Sequence, residues 1–239
     1  MLELFLQPQT WASLLTLTLL EIVLGIDNIV FIALISSRLP KSQQKSARRV
    51  GLALALITRL LLLATINWLT KLTTPLFSIM GEAFSGRDLI LIGGGLFLLA
   101  KSTSEIHMDM ADNEDEVFNT KRRAVFLSVI TQIMFLDIIF SLDSVITAVG
   151  MAQEFIIMAI AIVIAVLVML FASEPINRII NKYPSLKMLA LSFLLLVGVV
   201  LIADGFDFHV PRGYLYFAIA FSLFVETINI MAGRRKVKK

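Results

Sequence analysis

Residues Leu20–Val30 read LEIVLGIDNIV and place two carboxylates, Glu21 and Asp27, inside an apolar run long enough to cross a membrane. A charged side chain at the centre of a bilayer costs roughly 2.5–3.5 kcal/mol on insertion scales, so intramembrane acids are rare and mark functional sites. The same pattern returns once, as LDIIFSLDSVI at Leu136–Ile146, with an acid at the same two places. This repeat predicts a fold built from two related halves.

The composition indicates a helical membrane protein that crosses the bilayer several times. Hydrophobic residues make up 58% of the chain and charged residues only 16%, far from the balance of a soluble domain. The chain has no cysteine, which excludes disulfides, thiolate metal sites and cysteine nucleophiles. Met1–Phe5 has no basic region or cleavage site, so we expect an uncleaved N-terminus. The small excess of basic residues gives no reason to expect nucleic acid as a partner.

Seven segments are long and apolar enough to span, at about 20 residues per crossing. They lie near Trp11–Ser36, Ala47–Trp68, Asp88–Ser104, Arg123–Gly150, Gln153–Ser173, Leu186–Ala203 and Gly213–Ala232. The connections after segments one, three and five and the C-terminal tail hold sixteen Lys and Arg residues, against three in the other connections. By the positive-inside rule, the N-terminus is outside and the C-terminus is cytoplasmic.

Segments one and four carry the two matching motifs and are separated by an odd number of crossings, so they run in opposite directions. That relation is typical of an inverted repeat of three plus three helices, with the substrate site near the midplane. We therefore predict an all-α fold in a single transmembrane domain over residues 1–239. Its parts are repeat one (10–104), a cytoplasmic acidic linker (105–122), repeat two (123–204), an extra helix (213–232) and a basic tail (233–239).

Each motif forms one stripe on its helix. The stripes lie at i, i+4 and i+7 and consist of Glu21, Gly25 and Asn28, and of Asp137, Ser141 and Ser144. Small residues let membrane helices approach closely, so we expect segments one and four to cross at Gly25 and Ser141. Inversion then sets Glu21 level with Asp143, and Asp27 level with Asp137.

The predicted site has only oxygen ligands. Carboxylates this close in a low dielectric need protons or a cation to compensate them. Oxygen ligands without thiolate or imidazole suit a hard divalent ion such as Mn²⁺, Mg²⁺ or Ca²⁺. Release of the ion would require the acids to be neutralised again, which makes proton exchange a natural coupling. The predicted metal-contacting residues are Glu21, Asp27, Asn28, Asp137, Asp143 and Ser144.

Two alternatives for the motifs stay open. The acids could pair with the two basic residues inside the segments, Arg59 and Lys101, and merely lock the helices together. The helices could also be unwound at Gly25 or Ser141, which would free backbone carbonyls as further ligands.

Other polar positions give weaker signals. We interpret the linker acids as a solvated loop, Glu174 as an interfacial helix-end residue before Pro175, and Gly93–Gly95 as a close-packing surface. The cluster Asp204, Asp207 and His209 is interpreted as a solvated turn. Glu226 and Asn229, one turn apart in segment seven, are expected to face the bundle.

The two motifs resemble those of the TerC family of integral membrane proteins. The resemblance rests on Glu21–Asn28 and Asp137–Ser144 and extends over the whole chain, since seven segments with motifs in one and four is the family's layout. It implies a fold related to LysE-type transporters, a location in the bacterial inner membrane and, from characterised relatives, manganese efflux. The start of segment seven, Pro211–Tyr214, and the turn around Lys101 resemble the short members that lack appended cytoplasmic domains.

The leading hypothesis is therefore a secondary transporter that exports a hard divalent cation, with Mn²⁺ as the leading candidate. We expect it to work by alternating access with proton exchange and to need no prosthetic group. A second hypothesis is a membrane protein that helps metalate or assemble exported proteins without net efflux of metal. Either function is compatible with an oligomer or with a partner associated with the translocon. We predict no enzyme. The paired acids of an intramembrane protease would have to meet, whereas those of each motif lie about 9 Å apart along one helix. A retinal protein needs a lysine that segment seven lacks.

Overall fold

A computed structural model describes residues 6–65, 70–79, 82–110, 122–151 and 154–237. The side chains at positions 143, 144 and 146–151, among others, lie outside the described part. The described helices are α1 (Pro8–Leu24), α2 (Ile26–Ser37), α3 (Lys41–Ala64), α4 (Gly86–Met110), α5 (Arg122–Met151), α6 (Phe155–Lys182), α7 (Pro184–Gly205) and α8 (Arg212–Val237). A short 3₁₀ turn (Thr70–Thr73) and two strands, β1 (Pro75–Ile79) and β2 (Glu82–Ser85), lie between α3 and α4.

A described helix overlaps each predicted segment, and two helices overlap segment one. Within the described residues, six helical stretches are long and apolar enough to cross a membrane. α3, which occupies segment two, is not among them because Arg48, Arg49 and Arg59 lie within it. The chain is therefore a helical membrane protein with several spans, and the count of seven crossings stays a prediction.

Among the described residues, two short strands that the sequence did not predict accompany the helices. β1 and β2 pair as a two-stranded sheet in the connection between segments two and three. The helix that follows begins with a reciprocal cap. The Ser85 backbone N–H and hydroxyl donate to the Asp88 carboxylate at 2.8 and 2.7 Å, and the Asp88 N–H donates back to Ser85 Oγ at 3.3 Å. This capping box fixes the start of α4 directly after the sheet.

Segment one is interrupted at a single residue, Gly25. Its backbone keeps right-handed helical angles (φ −82°, ψ −8°). Its N–H donates to the Glu21 carbonyl at 2.9 Å, and its own carbonyl accepts from the Ile29 N–H at 3.0 Å. Ser141 lies inside the continuous helix α5. Neither position is unwound, so the backbone groups of Gly25 remain in helical hydrogen bonds.

The helices form two compact units. The first comprises Met1–Pro75 and Phe118–Arg178 and holds α1, α2, α3, α5 and most of α6. The second comprises Leu76–Val117 and Ile179–Lys239 and holds α4, α7 and α8. The first unit contains both repeated motifs.

In the second unit, α4 and α7 pack backbone to backbone. A Cβ added at Gly95 would lie 2.6 Å from the Gly198 carbonyl oxygen, and one at Gly198 would lie 3.0 Å from the Gly95 oxygen. Further along, a Cβ at Gly205 would lie 2.9 Å from the carbonyl oxygen of Asp88. The contacts run in opposite order along the two helices, so α4 and α7 are antiparallel. Glycine is required here because no side chain fits between the helices.

Gly95→Ala is expected to destabilise the protein, while Gly93→Ala is expected to be neutral or slightly stabilising. Alanine favours a helix over glycine by up to about 1 kcal/mol, and nothing lies within 4 Å of a Cβ at Gly93. At Gly95 overpacking, which costs typically about 1–3 kcal/mol, outweighs that gain. Thermal unfolding in detergent checks this, and equal melting temperatures for the two variants would contradict the packing.

Contacts within the first unit give the direction of α5 relative to α3 and to the α1–α2 pair. Gly51 of α3 lies against Ile133, and Arg59, further along α3, lies against Asp137, so α3 and α5 are parallel. Asn28 contacts Asp137, whereas the earlier Glu21 lines a cavity together with the later Val145. The α1–α2 pair is therefore antiparallel to α5.

Candidate ion site of the first unit

Asp137 is the centre of a buried polar cluster on α5. Its Oδ1 accepts from Asn28 Nδ2 at 3.1 Å and from Arg59 Nη2 at 2.8 Å. Arg59 Nε lies 3.2 and 3.4 Å from its two oxygens. Oδ2 also receives the hydroxyls of Ser141 at 3.4 Å and Thr58 at 3.5 Å. Donors from three helices thus converge on one carboxylate.

Arg59 joins the two motifs. Its Nη1 lies 2.8 Å from Glu21 Oε2, while Nη2 and Nε engage Asp137. The three side chains are 2–3% exposed, so water screens these charges little. The planar guanidinium can bridge two acids in this way because its donors form a rigid fork. With all groups ionised the trio carries a formal charge of minus one.

The levels of the motif residues follow from these contacts. Asn28 sits level with Asp137, and Glu21 sits at the level of Val145, two residues beyond Asp143. A small cavity of about 10 Å³, room for about one water molecule, lies beside Glu21. Its other lining is apolar: Leu17, Leu63, Val145, Met158, Ala161 and Ile162. The order of contacts is the one that antiparallel motif helices require.

The remaining predicted site residues are placed as follows. Asp27 is half-buried in the first turn of α2. Asp143 and Ser144 belong to α5, but their side chains lie outside the described part of the chain. Among the side chains that the structure describes, no three of the His, Cys, Asp and Glu type form a group that could hold a metal ion. The structure thus brings together Glu21, Asn28, Asp137 and Ser141, with Arg59 between the acids.

Gly25 and Lys101 contact residues other than those we expected. A Cβ added at Gly25 would lie 2.6 Å from Met169 Sδ, so Gly25 makes room for α6 of segment five, where we expected segment four. Lys101 Nζ lies 3.1 Å from Glu105 Oε1, one turn along α4. Of the two basic residues considered as partners for the motif acids, Arg59 is the one the structure places against them.

Comparison with known proteins agrees with the motif pair. The family model described as "Integral membrane protein TerC family" matches residues 6–239. The chain belongs to the TerC family. No solved structure matches this TerC-family chain. The family is associated with ion transport.

Several curated relatives are 51–55% identical to this TerC protein over the aligned residues. The Escherichia coli (strain K12) inner membrane protein YgdQ is 55% identical over 228 residues, 95% of each chain. A UPF0053 protein of Haemophilus influenzae is 53% identical over 234 residues, 98% of this chain and 99% of the relative. The E. coli inner membrane protein YoaE is 51% identical over 237 residues, 99% of this chain but 46% of YoaE. The chain therefore spans about half the length of YoaE. This TerC-family chain, like the two E. coli relatives, is an inner-membrane protein, and its apolar helices cross the membrane several times.

Arg48 of the TerC chain forms an ion pair with Glu174 that the sequence did not predict. Arg48 Nη2 lies 2.7 Å from Glu174 Oε2, and the Arg48 side chain is 3% exposed while that of Glu174 is 46% exposed. α6 does not end at Pro175 but continues to Lys182, so Glu174 is not the helix-end residue we expected. A signal for Arg48 existed: Arg48, Leu52, Ala55 and Arg59 form one buried stripe on α3.

Other polar positions of this TerC-family chain have local structural roles. Asp204 accepts from the Val210 N–H at 3.4 Å and lies 3.9 Å from Arg212, which closes the turn after α7. In segment seven, Glu226 is partly exposed, and Asn229, which we expected to face the bundle, is exposed. The Asn229 amide lies 3.5 Å from Glu226. The acids at positions 112–116 of the linker lie outside the described residues.

Proposed function

We propose that this TerC-family protein is a secondary transporter that exports a hard divalent cation, with Mn²⁺ as the leading candidate. The observation that carries the proposal is the buried pair Glu21 and Asp137, bridged by Arg59, between antiparallel motif helices. Burial of charge is unfavourable, and a network kept only for stability gains little over apolar packing. A buried trio with a formal surplus of negative charge is better explained as an ion site.

The membrane arrangement we propose has seven crossings, an outside N-terminus, a cytoplasmic C-terminus and a 3+3 inverted repeat. The antiparallel packing of the motif helices supports it, since segments one and four are the first of each half. The antiparallel contact of α4 with α7 at Gly95 and Gly198 supports it equally, since segments three and six are the last of each half. Alternating access then consists of movement of one half against the other around a midplane site.

The proposed ligands are the carboxylates Glu21, Asp27, Asp137 and Asp143, with the amide of Asn28 and the hydroxyl of Ser144 as helpers. All are oxygen donors, which favours Mn²⁺, Mg²⁺ or Ca²⁺ over softer metals. When the ion leaves, the acids must regain compensating charge. Proton entry from the opposite side would supply it, so we propose proton exchange as the coupling.

The test is growth and manganese content of cells that express the protein in excess Mn²⁺. Wild type is expected to lower the cell content, and Asp27→Asn or Asp143→Asn to lose that effect because each removes an ionised ligand. Glu154→Gln, at an exposed acid between α5 and α6, is the matched control and should behave as wild type. Equal manganese content in all four strains would contradict export and would favour a role in assembling exported proteins.

A further inference from the structure

The position of Arg59 has a consequence for how an ion could enter this site. The guanidinium lies between the Glu21 and Asp137 carboxylates, 2.8 Å from an oxygen of each. These are two of the proposed ligands. A metal ion bound to both would have to occupy the space that the guanidinium fills, and its charge would repel that of Arg59.

The lone pairs of Asp137 are also already used. A carboxylate offers about four lone-pair sites, and those of Asp137 accept from Asn28, Arg59, Thr58 and Ser141. Asn28 is itself a proposed ligand through its amide oxygen, whereas Arg59 can only donate. Arg59 is therefore the group that an arriving cation must displace from Asp137.

Arg59 has a second partner to hold while it leaves Asp137. Its Nη1 donates to Glu21 Oε2 at 2.8 Å, whereas Nη2 and Nε donate to Asp137. Different nitrogens of one rigid guanidinium thus bind the two acids. Arg59 can therefore keep its bond to Glu21 when its contacts with Asp137 break.

We propose that Arg59 is a tethered competing cation that holds the ion site between transport events. Ion binding and the Arg59–Asp137 pair then exclude one another. The inference rests on the proposed function and deepens it: after release of the ion, Arg59 returns to Asp137 and the site is again occupied by the side-chain cation. Arg59 acts as a positioning residue and not as a ligand.

The experiment measures Mn²⁺ binding to the full chain in nanodiscs, from the electron paramagnetic resonance signal of free Mn²⁺. Arg59→Gln removes the competitor, so its Kd for Mn²⁺ is expected to fall at least about tenfold, since the binding-competent fraction rises. Arg59→Lys keeps a cation but loses the fork and should lie between the two. Arg49→Gln, at an exposed arginine of the same helix, is the control and should bind as wild type.

A second measurement separates competition from a structural effect. Millimolar methylguanidinium should weaken Mn²⁺ binding to Arg59→Gln and leave wild type unchanged, because only the variant has a vacant guanidinium position. Binding to Arg59→Gln that equals or is weaker than wild type, or Arg59→Lys that binds more tightly than Arg59→Gln, would overturn the inference alone. Absence of Mn²⁺ binding in every protein, wild type included, would instead contradict the proposed function.

Discussion

Asp137→Asn is expected to abolish manganese export and to cost about 3–5 kcal/mol of stability, the range for breaking a buried ion pair. The substitution leaves Arg59 with Glu21 as its remaining acidic partner in the trio, so Nε and Nη2 lose a charged acceptor in a dry environment. The new amide nitrogen would also face groups that donate, namely Asn28 and Ser141. The loss of export and the loss of stability have the same origin, because the Asp137 carboxylate accepts hydrogen bonds from donors on three helices.

A triple substitution separates the two effects of Asp137→Asn. Adding Arg59→Gln together with Glu21→Gln removes every charge of the buried trio, so most of the lost stability should return, because replacing all partners of a buried network is far less costly than replacing one. Export should stay absent, since the ligand is still missing. Thermal unfolding of wild type, Asp137→Asn and the triple variant and Mn²⁺ uptake into inverted membrane vesicles provide the two readouts. Normal uptake by Asp137→Asn would contradict its place in the ion site.

Glu21→Gln is expected to abolish export while leaving the protein closer to wild-type stability than Asp137→Asn does. Glu21 engages one guanidinium nitrogen of Arg59, whereas Asp137 engages two, so fewer charged contacts are lost. The formal charge of the trio becomes zero, and Arg59 remains paired with Asp137. Without an acid on the cavity side, Arg59 has no partner to move toward, so it stays on Asp137 and blocks the ion.

The same vesicle uptake and unfolding assays check Glu21→Gln. A variant that transports as wild type would show that Glu21 has only a structural role. A variant as unstable as Asp137→Asn would show that the Glu21 contact carries as much of the helix packing as the Asp137 contacts do. Glu154→Gln again serves as the matched loss of an acid, since that side chain is exposed.

The helices and the relation between the motifs could be predicted from the sequence. Apolar length predicts a helix in each segment, and the odd number of crossings predicted between the repeats requires segments one and four to be antiparallel. The contact of Asn28 with Asp137 lies at the level that this inversion sets for Asp27 and Asp137.

The side chains that contact the motif residues could not be predicted, because these contacts depend on how each helix is rotated about its axis. Hydropathy does not show that Arg59 faces both motifs, nor that Arg48 on the same stripe reaches Glu174. At Gly25 the sequence correctly indicates a close approach but cannot tell that Met169 makes it. The two strands were missed because a short paired segment between spans has no signal comparable to an apolar run of about 20 residues.

The most direct test of the ion site is a crystal structure of the full chain with Mn²⁺, with data collected at the manganese absorption edge. We expect an anomalous peak between α2 and α5, within coordination distance of carboxylate oxygens from both motifs, including Asp27 and Asp137, with the Arg59 guanidinium displaced toward Glu21. A peak only at other residues, or an Arg59 that still bridges Glu21 and Asp137 while Mn²⁺ is bound elsewhere, would contradict it.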